Sequence, residues 1–195
     1  KSGMKVRLDS IDSFADGVAV KEIGDKTFSI AKELVDDFLI VEEGAICSAI
    51  LKLYNDEAIV AEPAGAVGIA ALEQYREKIE NKNVAVIICG GNNDVARTEE
   101  IRERALLWEG KKHYFIVRFP QRAGALKEFL QVLGPNDDIA HFEYTKKNNR
   151  QTGPALVGIE LNKKDDFNAL LNRMEEQNIN YEHLNNSPML FEWIV

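Results

Sequence analysis

Val84-Ala85-Val86-Ile87-Ile88 runs directly into Cys89-Gly90-Gly91-Asn92-Asn93-Asp94. Five apolar residues in a row, most of them β-branched, predict a strand buried on both faces. The Gly90-Gly91 pair lets the backbone turn sharply and lie close to a neighbour. Asn92, Asn93 and Asp94 are good helix N-caps, and Thr98 to Trp108 reads as the helix that follows. A strand, a glycine turn and a helix predict an α/β arrangement, in which ligands sit beyond the carboxyl ends of strands. The residue at that end is Cys89, a small polarizable weak donor. Taken alone, the stretch is better explained by a tight strand-to-helix turn beside a buried cysteine than by a ligand site.

Upstream, the pattern alternates. Thr27 to Leu34 has helical spacing, Phe38-Leu39-Ile40-Val41 reads as a short strand, and Glu43 to Tyr54 is helical again. Ala58-Ile59-Val60-Ala61 is too short to assign. Pro63 to Ile79 predicts a helix with proline in its first turn, where a missing N–H costs nothing. Its start, Ala64-Gly65-Ala66-Val67-Gly68, is small enough for close packing or close approach to a bound group. Glu62 precedes it, where the helix dipole favours a carboxylate. Composition alone makes Glu62 a charged helix start.

Downstream, the order is clearer. Tyr114 to Phe119 is a strand, Pro120 to Gly124 a turn, and Ala125 to Leu133 a helix ended by Gly134-Pro135-Asn136. Ile139 to Tyr144 alternates, with Ile139, His141 and Glu143 on one face and Ala140, Phe142 and Tyr144 on the other. Asn148 to Gly153 links this segment to a third strand, Ala155 to Leu161. Asp165 to Gln177 is a helix with Phe167, Leu170, Leu171 and Met174 as its stripe, and Asn180 to Leu184 is a fourth strand. The order βαββαβ is that of the ferredoxin-like split βαβ plan.

The 195 residues suit one large or two small domains. Residues 1–110 hold 13 Lys and Arg against 21 Asp and Glu, whereas residues 111–195 hold 11 of each. The change falls in the polar stretch Trp108 to His113, so we place a boundary between 110 and 111. A net charge of -8 argues against a nucleic-acid partner. No apolar run has the length of a membrane span, and no signal-peptide pattern opens the chain. Cys47 and Cys89 sit in apolar runs and form no disulfide framework, which fits a reducing cytoplasm. His113, His141 and His183 lack metal-ligand spacing, so no metal site is expected. Ser13 and Ser48 have no evident His/Asp partner, and the absence of a GxGxxG run disfavours a dinucleotide site. Lys146-Lys147 with Arg150 reads as an exposed basic patch.

Phe14-Ala15-Asp16-Gly17-Val18-Ala19-Val20, Glu62-Pro63-Ala64-Gly65-Ala66 and Cys89-Gly90-Gly91-Asn92-Asn93 occur in the order of the later motifs of the pyridoxal-phosphate threonine and serine dehydratases, which the chain resembles. From Tyr114 to Leu133 it is similar to the ACT-like regulatory domain of biosynthetic threonine ammonia-lyase. The resemblance implies the end of a fold-type II catalytic domain over 1–110 and an ACT-like domain over 111–195. It implies pyridoxal 5'-phosphate as the intact enzyme's cofactor, with Cys89 opposite the pyridine nitrogen. Glu62 would lie beside the ring, Gly17 at one face, and Gly90 and Gly91 in the wall. It also implies L-threonine as substrate, 2-oxobutanoate and ammonia as products, and isoleucine or valine as effector. Arg122, Phe142 and Tyr144 are the effector candidates, though ordinary core or interface packing explains the two aromatics better. The family's Ser-Phe-Lys-like anchor, its Ser-Gly-Asn-His loop and its phosphate-cupping glycines do not occur here. The chain is therefore expected to be a C-terminal portion, inactive alone, without retained cofactor, and prone to homo-oligomerise. A non-catalytic amino-acid-binding or self-associating module is the alternative.

Overall fold

The computed structural model describes residues 3–145 and 151–187. The expected basic patch at Lys146-Lys147 and Arg150 lies outside them. The chain divides into two compact units, Lys1–Arg102 and Glu103–Val195.

The first unit is helical. Helices α1 (Asp25–Leu34), α2 (Glu43–Glu57), α3 (Pro63–Gln74) and α4 (Arg76–Ile79) precede α5 (Thr98–Trp108), which crosses into the second unit. Helix α2 buries Ala45 through Ile50 and Leu53, and its main partner is α3, whose small residues Ala64, Gly65, Ala66 and Ala70 are buried. Small side chains let the two axes approach closely. Ala58 ends α2 in the left-handed region at φ 55°, its N–H bonded back to the last turn. The proline-started helix stops earlier than its pattern suggested, because Tyr75 leaves helical geometry and separates α3 from the single turn of α4.

Two expected strands do not form. Val84–Ile88 and Phe38–Val41 have no regular structure, and Ile87 and Ile40 are 82% and 87% exposed. A strand exists through its ladder, and the described residues of the first unit contain no other strand to pair with. Val86 instead lies against α3, within reach of Gly68.

The second unit has the expected βαββαβ order. Strands β1 (Lys112–Pro120), β2 (Asp138–Tyr144), β3 (Thr152–Glu160) and β4 (Tyr181–His183) form an antiparallel sheet in the order β2-β3-β1-β4. Helices α6 (Ala125–Phe129, continued as a 3₁₀ turn over Leu130–Val132) and α7 (Asp166–Glu176) cover one face. The core joins Phe115, Val117 and Phe119 of β1 to Val157 and Ile159 of β3, with Phe129, Leu170 and Met174 from the helices. In β2 the simple alternation fails. A register shift between Ile139 and His141 leaves Ala140 opposite no residue of β3. The extra residue changes the phase of the faces, so Ile139 packs on the core together with Phe142 and Tyr144.

Candidate functional site

In the first unit, the glycine turn and the start of α3 lock together through backbone contact. Pro63 opens the helix and Glu62 caps it in an extended conformation. The Glu62 N–H donates to the Gly90 carbonyl at 3.2 Å, and the Asn92 N–H donates to Glu62 Oε2 at 3.2 Å. Gly90 sits at φ +80°, where side chains are strained, and a Cβ there would meet the Glu62 carboxylate. A Cβ on Gly65 would run into the Cys89 carbonyl, and one on Gly91 would lie 3.0 Å from the Val60 carbonyl oxygen. Gly17 completes the set, since a Cβ there would lie 3.0 Å from Ala64 Cβ and 3.1 Å from Glu62 Oε1. The five residues Gly17, Glu62, Cys89, Gly90 and Gly91, distant in sequence, thus form one patch.

Two details differ from expectation. Cys89 is exposed rather than buried, because the run that carries it is not sandwiched in a sheet. The space over Gly90 and Gly91 is filled by Glu62 and Val60, so this pair packs against its own chain. Nearby, Arg97 lies over the buried Phe14 ring at 4.9 Å from the ring centre and donates to the Phe14 carbonyl at 3.4 Å. That contact pins the segment leading to Gly17.

The second unit brings its three candidates together as well. Arg122, Phe142 and Tyr144 border one hollow of about 420 Å³, with Phe119, Leu126 and Leu130 supplying apolar surface. The turn before α6 positions Arg122: its N–H donates to the Pro120 carbonyl at 2.9 Å, and Gly124 reverses the chain at φ +86°. Arg122 makes a forked pair with Glu128, Nη1 to Oε1 at 2.8 Å and Nη2 to Oε2 at 2.6 Å. The hydrogen bond to Glu128 and its charge push the guanidinium higher still, and the hydrogen bond from Arg122, with its charge, holds the Glu128 carboxyl below its usual range. Glu128 also borders a second, more polar hollow of about 740 Å³ with Arg118, Gln131, Asn178 and Asn180. Phe142 and Tyr144 pack on the core too, with Phe119 and Phe142 ring centres 6.0 Å apart and nearly perpendicular.

Sequence reasoning missed two polar clusters at the start of β1. Lys112 and His113, which belong to the polar stretch at the expected domain boundary, are buried. Lys112 pairs with Glu103 and, at 3.2 Å, with Glu160, while the Tyr114 hydroxyl donates to Glu103 Oε1 at 2.7 Å. The scattered histidines also meet: His113 Nδ1 and His183 Nε2 are 3.2 Å apart, and Phe167 stacks on His113 at 3.8 Å. Burial pushes His113 down to about 4, with His183 adding to the shift and the Gly110 carbonyl opposing it. Burial lowers His183 as well. The β1-β4 pairing brings His113 near His183, and the β1-β3 register sets Lys112 opposite Glu160.

Two family profiles match the chain in succession. "Pyridoxal-phosphate dependent enzyme" covers residues 1–90, and "C-terminal regulatory domain of Threonine dehydratase" covers residues 103–194. The chain is 55% identical to L-threonine dehydratase biosynthetic IlvA of Bacillus subtilis, over 100% of its own length and 46% of the relative's. The chain belongs to the threonine dehydratase family. Its counterpart from Halalkalibacterium halodurans is 50% identical, again over 100% of this chain and 47% of the relative. The chain thus spans about half the length of the curated relatives it matches. Among solved structures, the processed form of threonine deaminase isoform 2 from Solanum lycopersicum is 38% identical. It aligns with a TM-score of 0.51, covering 53% of this chain and 31% of that one. The succession of the two family matches along the chain, a pyridoxal-phosphate-dependent enzyme and then a regulatory domain, agrees with the fold class expected from the motifs. Among the described residues no helix is long and apolar enough to cross a membrane, and no group of three or more His, Cys, Asp or Glu could hold a metal.

Proposed function

We propose that this chain is the carboxyl-terminal portion of a biosynthetic threonine dehydratase, in which the first unit supplies one wall of the cofactor pocket and the second binds a branched-chain amino acid. The observation that carries the first part is the single patch formed by Gly17, Glu62, Cys89, Gly90 and Gly91, together with a threonine dehydratase 55% identical over the whole chain.

Pyridoxal 5'-phosphate, when bound, stores the electron pair left when the substrate loses its α-proton. Cys89 is the residue we assign to its pyridine nitrogen. An exposed thiol is a weak, neutral donor, so it would leave that nitrogen unprotonated and moderate the ring's pull on electrons. Glu62 is held beside this position by the Asn92 N–H, and its carboxylate fills the space that a side chain at Gly90 would need. Gly17 leaves one face of the patch without a side chain. These residues suit the nitrogen end of the cofactor. Gly90 and Gly91, the best glycine pair among the described residues, are packed by Glu62 and Val60 and offer no open cup for the phosphate. We therefore assign no cofactor retention and no dehydratase activity to the chain alone.

In the second unit, the guanidinium of Arg122 beside the apolar surface of Phe119, Leu126, Leu130, Phe142 and Tyr144 matches an amino acid with one carboxylate and a branched aliphatic side chain, such as isoleucine or valine. Control of the intact enzyme then requires the effector to bind its two states unequally. The exposed apolar residues of the first unit favour self-association of the 195-residue chain.

Two experiments test this reading. Assaying 2-oxobutanoate from L-threonine with added pyridoxal 5'-phosphate should give background rates with the 195-residue chain; turnover would refute the assignment. Calorimetric titration with L-isoleucine and L-valine should show saturable heat, and L-threonine little. Equal silence from all three would leave the second unit without an effector.

A further inference from the structure

We infer that Glu128 is an internal competitor for Arg122, its carboxylate occupying the guanidinium fork that the carboxylate of an incoming amino acid takes. The inference rests on reading the Arg122 hollow as an effector site.

Arginine binds a carboxylate best through two parallel N–H donors. Both are already engaged, at 2.8 and 2.6 Å, by the two oxygens of Glu128. The pair therefore copies, within the chain, the contact a free amino acid would make. It also straddles two hollows. Arg122 borders the apolar one and Glu128 the polar one, so the two side chains can part without either entering the core. Arg118 borders the same polar hollow as Glu128 and offers the released carboxylate another cation there.

The pair is easy to open, because its side chains are 57% and 55% exposed. Exposed ion pairs favour the closed form by a factor of roughly two to five. A ligand that needs the open form binds more weakly by about that factor. Glu128 thus raises, by about that factor, the amino-acid concentration needed to fill the hollow.

The test is calorimetric titration of the 195-residue chain with L-isoleucine and L-valine, comparing wild type, Glu128→Gln, Glu143→Gln and Arg122→Gln. Glu128→Gln should tighten binding about three- to five-fold. Glu143→Gln removes the same charge from the exposed edge strand β2, and should change affinity by less than about 1.5-fold. Arg122→Gln should weaken binding at least about five-fold. The expected factors follow from the worth of an exposed pair. Saturable wild-type binding that Glu128→Gln leaves unchanged, or that Glu143→Gln tightens equally, overturns the competitor role while keeping the effector site. No binding by wild type and Glu128→Gln alike overturns both.

Discussion

The two units use apolar residues in opposite ways. In the second, Phe115, Val157, Ile159, Leu170 and Met174 are all fully buried between one sheet and two helices. In the first, Ile40, Val84 and Ile87 are 87%, 47% and 82% exposed, and the two runs that carry them form no strand. Local sequence makes a helix, whose hydrogen bonds close within the segment. It does not make a strand, whose partners lie elsewhere in the chain. The second unit holds all four strands of its sheet, and the first holds none among its described residues.

The contrast breaks most visibly under core truncation. Met174→Ala or Leu170→Ala should destabilise the second unit by about 2–5 kcal/mol, read from its chemical unfolding transition. Ile87→Ser in the first unit should change stability by less than about 0.5 kcal/mol, as surface substitutions do. It should also reduce self-association, seen as a smaller mass in light scattering.

The buried charges of the second unit come next. Glu103→Ala leaves the Tyr114 hydroxyl without its acceptor and Lys112 with Glu160 alone. A loss of about 1–3 kcal/mol is expected in the same unfolding measurement. Gly158→Ala attacks the same region sterically, since a Cβ would lie 2.7 Å from the Tyr114 ring and 3.0 Å from His141 Cβ. It should cost about 1–3 kcal/mol.

A smaller effect is expected from pH. His113 is held neutral, near 4 in the folded unit against an ordinary value of 6.5. Its unfolded form therefore binds the extra proton first as pH falls. The contribution of a neutral His113 is complete above about 6.5 and is lost progressively down to about 4. The melting temperature of the second unit should fall through that window, and His113→Phe should flatten the fall.

Much of this was legible in the sequence. The order and type of the second unit's main elements follow from local pattern, from the apolar runs of β1 and β3 and the apolar stripe of α7. The inserted Ala140 was not legible, since a bulge is fixed by the partner strand rather than by local pattern. The pairing of His113 with His183 and of Glu103 with Lys112 was equally hidden, because contacts between distant polar residues leave no periodic trace. In the first unit the helices were legible, and so was the grouping of Glu62 with the Cys89-Gly90-Gly91 turn, through the order of its motifs. The burial of Val84–Ile88 was misread. An apolar run reports a preference for burial, and partners must exist before burial happens.

Amide hydrogen exchange of the chain with and without L-isoleucine tests the central claim most directly. The account predicts slow exchange in β1, β3 and α7, fast exchange over residues 84–94, and new protection on adding isoleucine confined to residues 118–130 and 140–144. Ligand-induced protection in residues 84–94 instead, or slow exchange there without ligand, would contradict it.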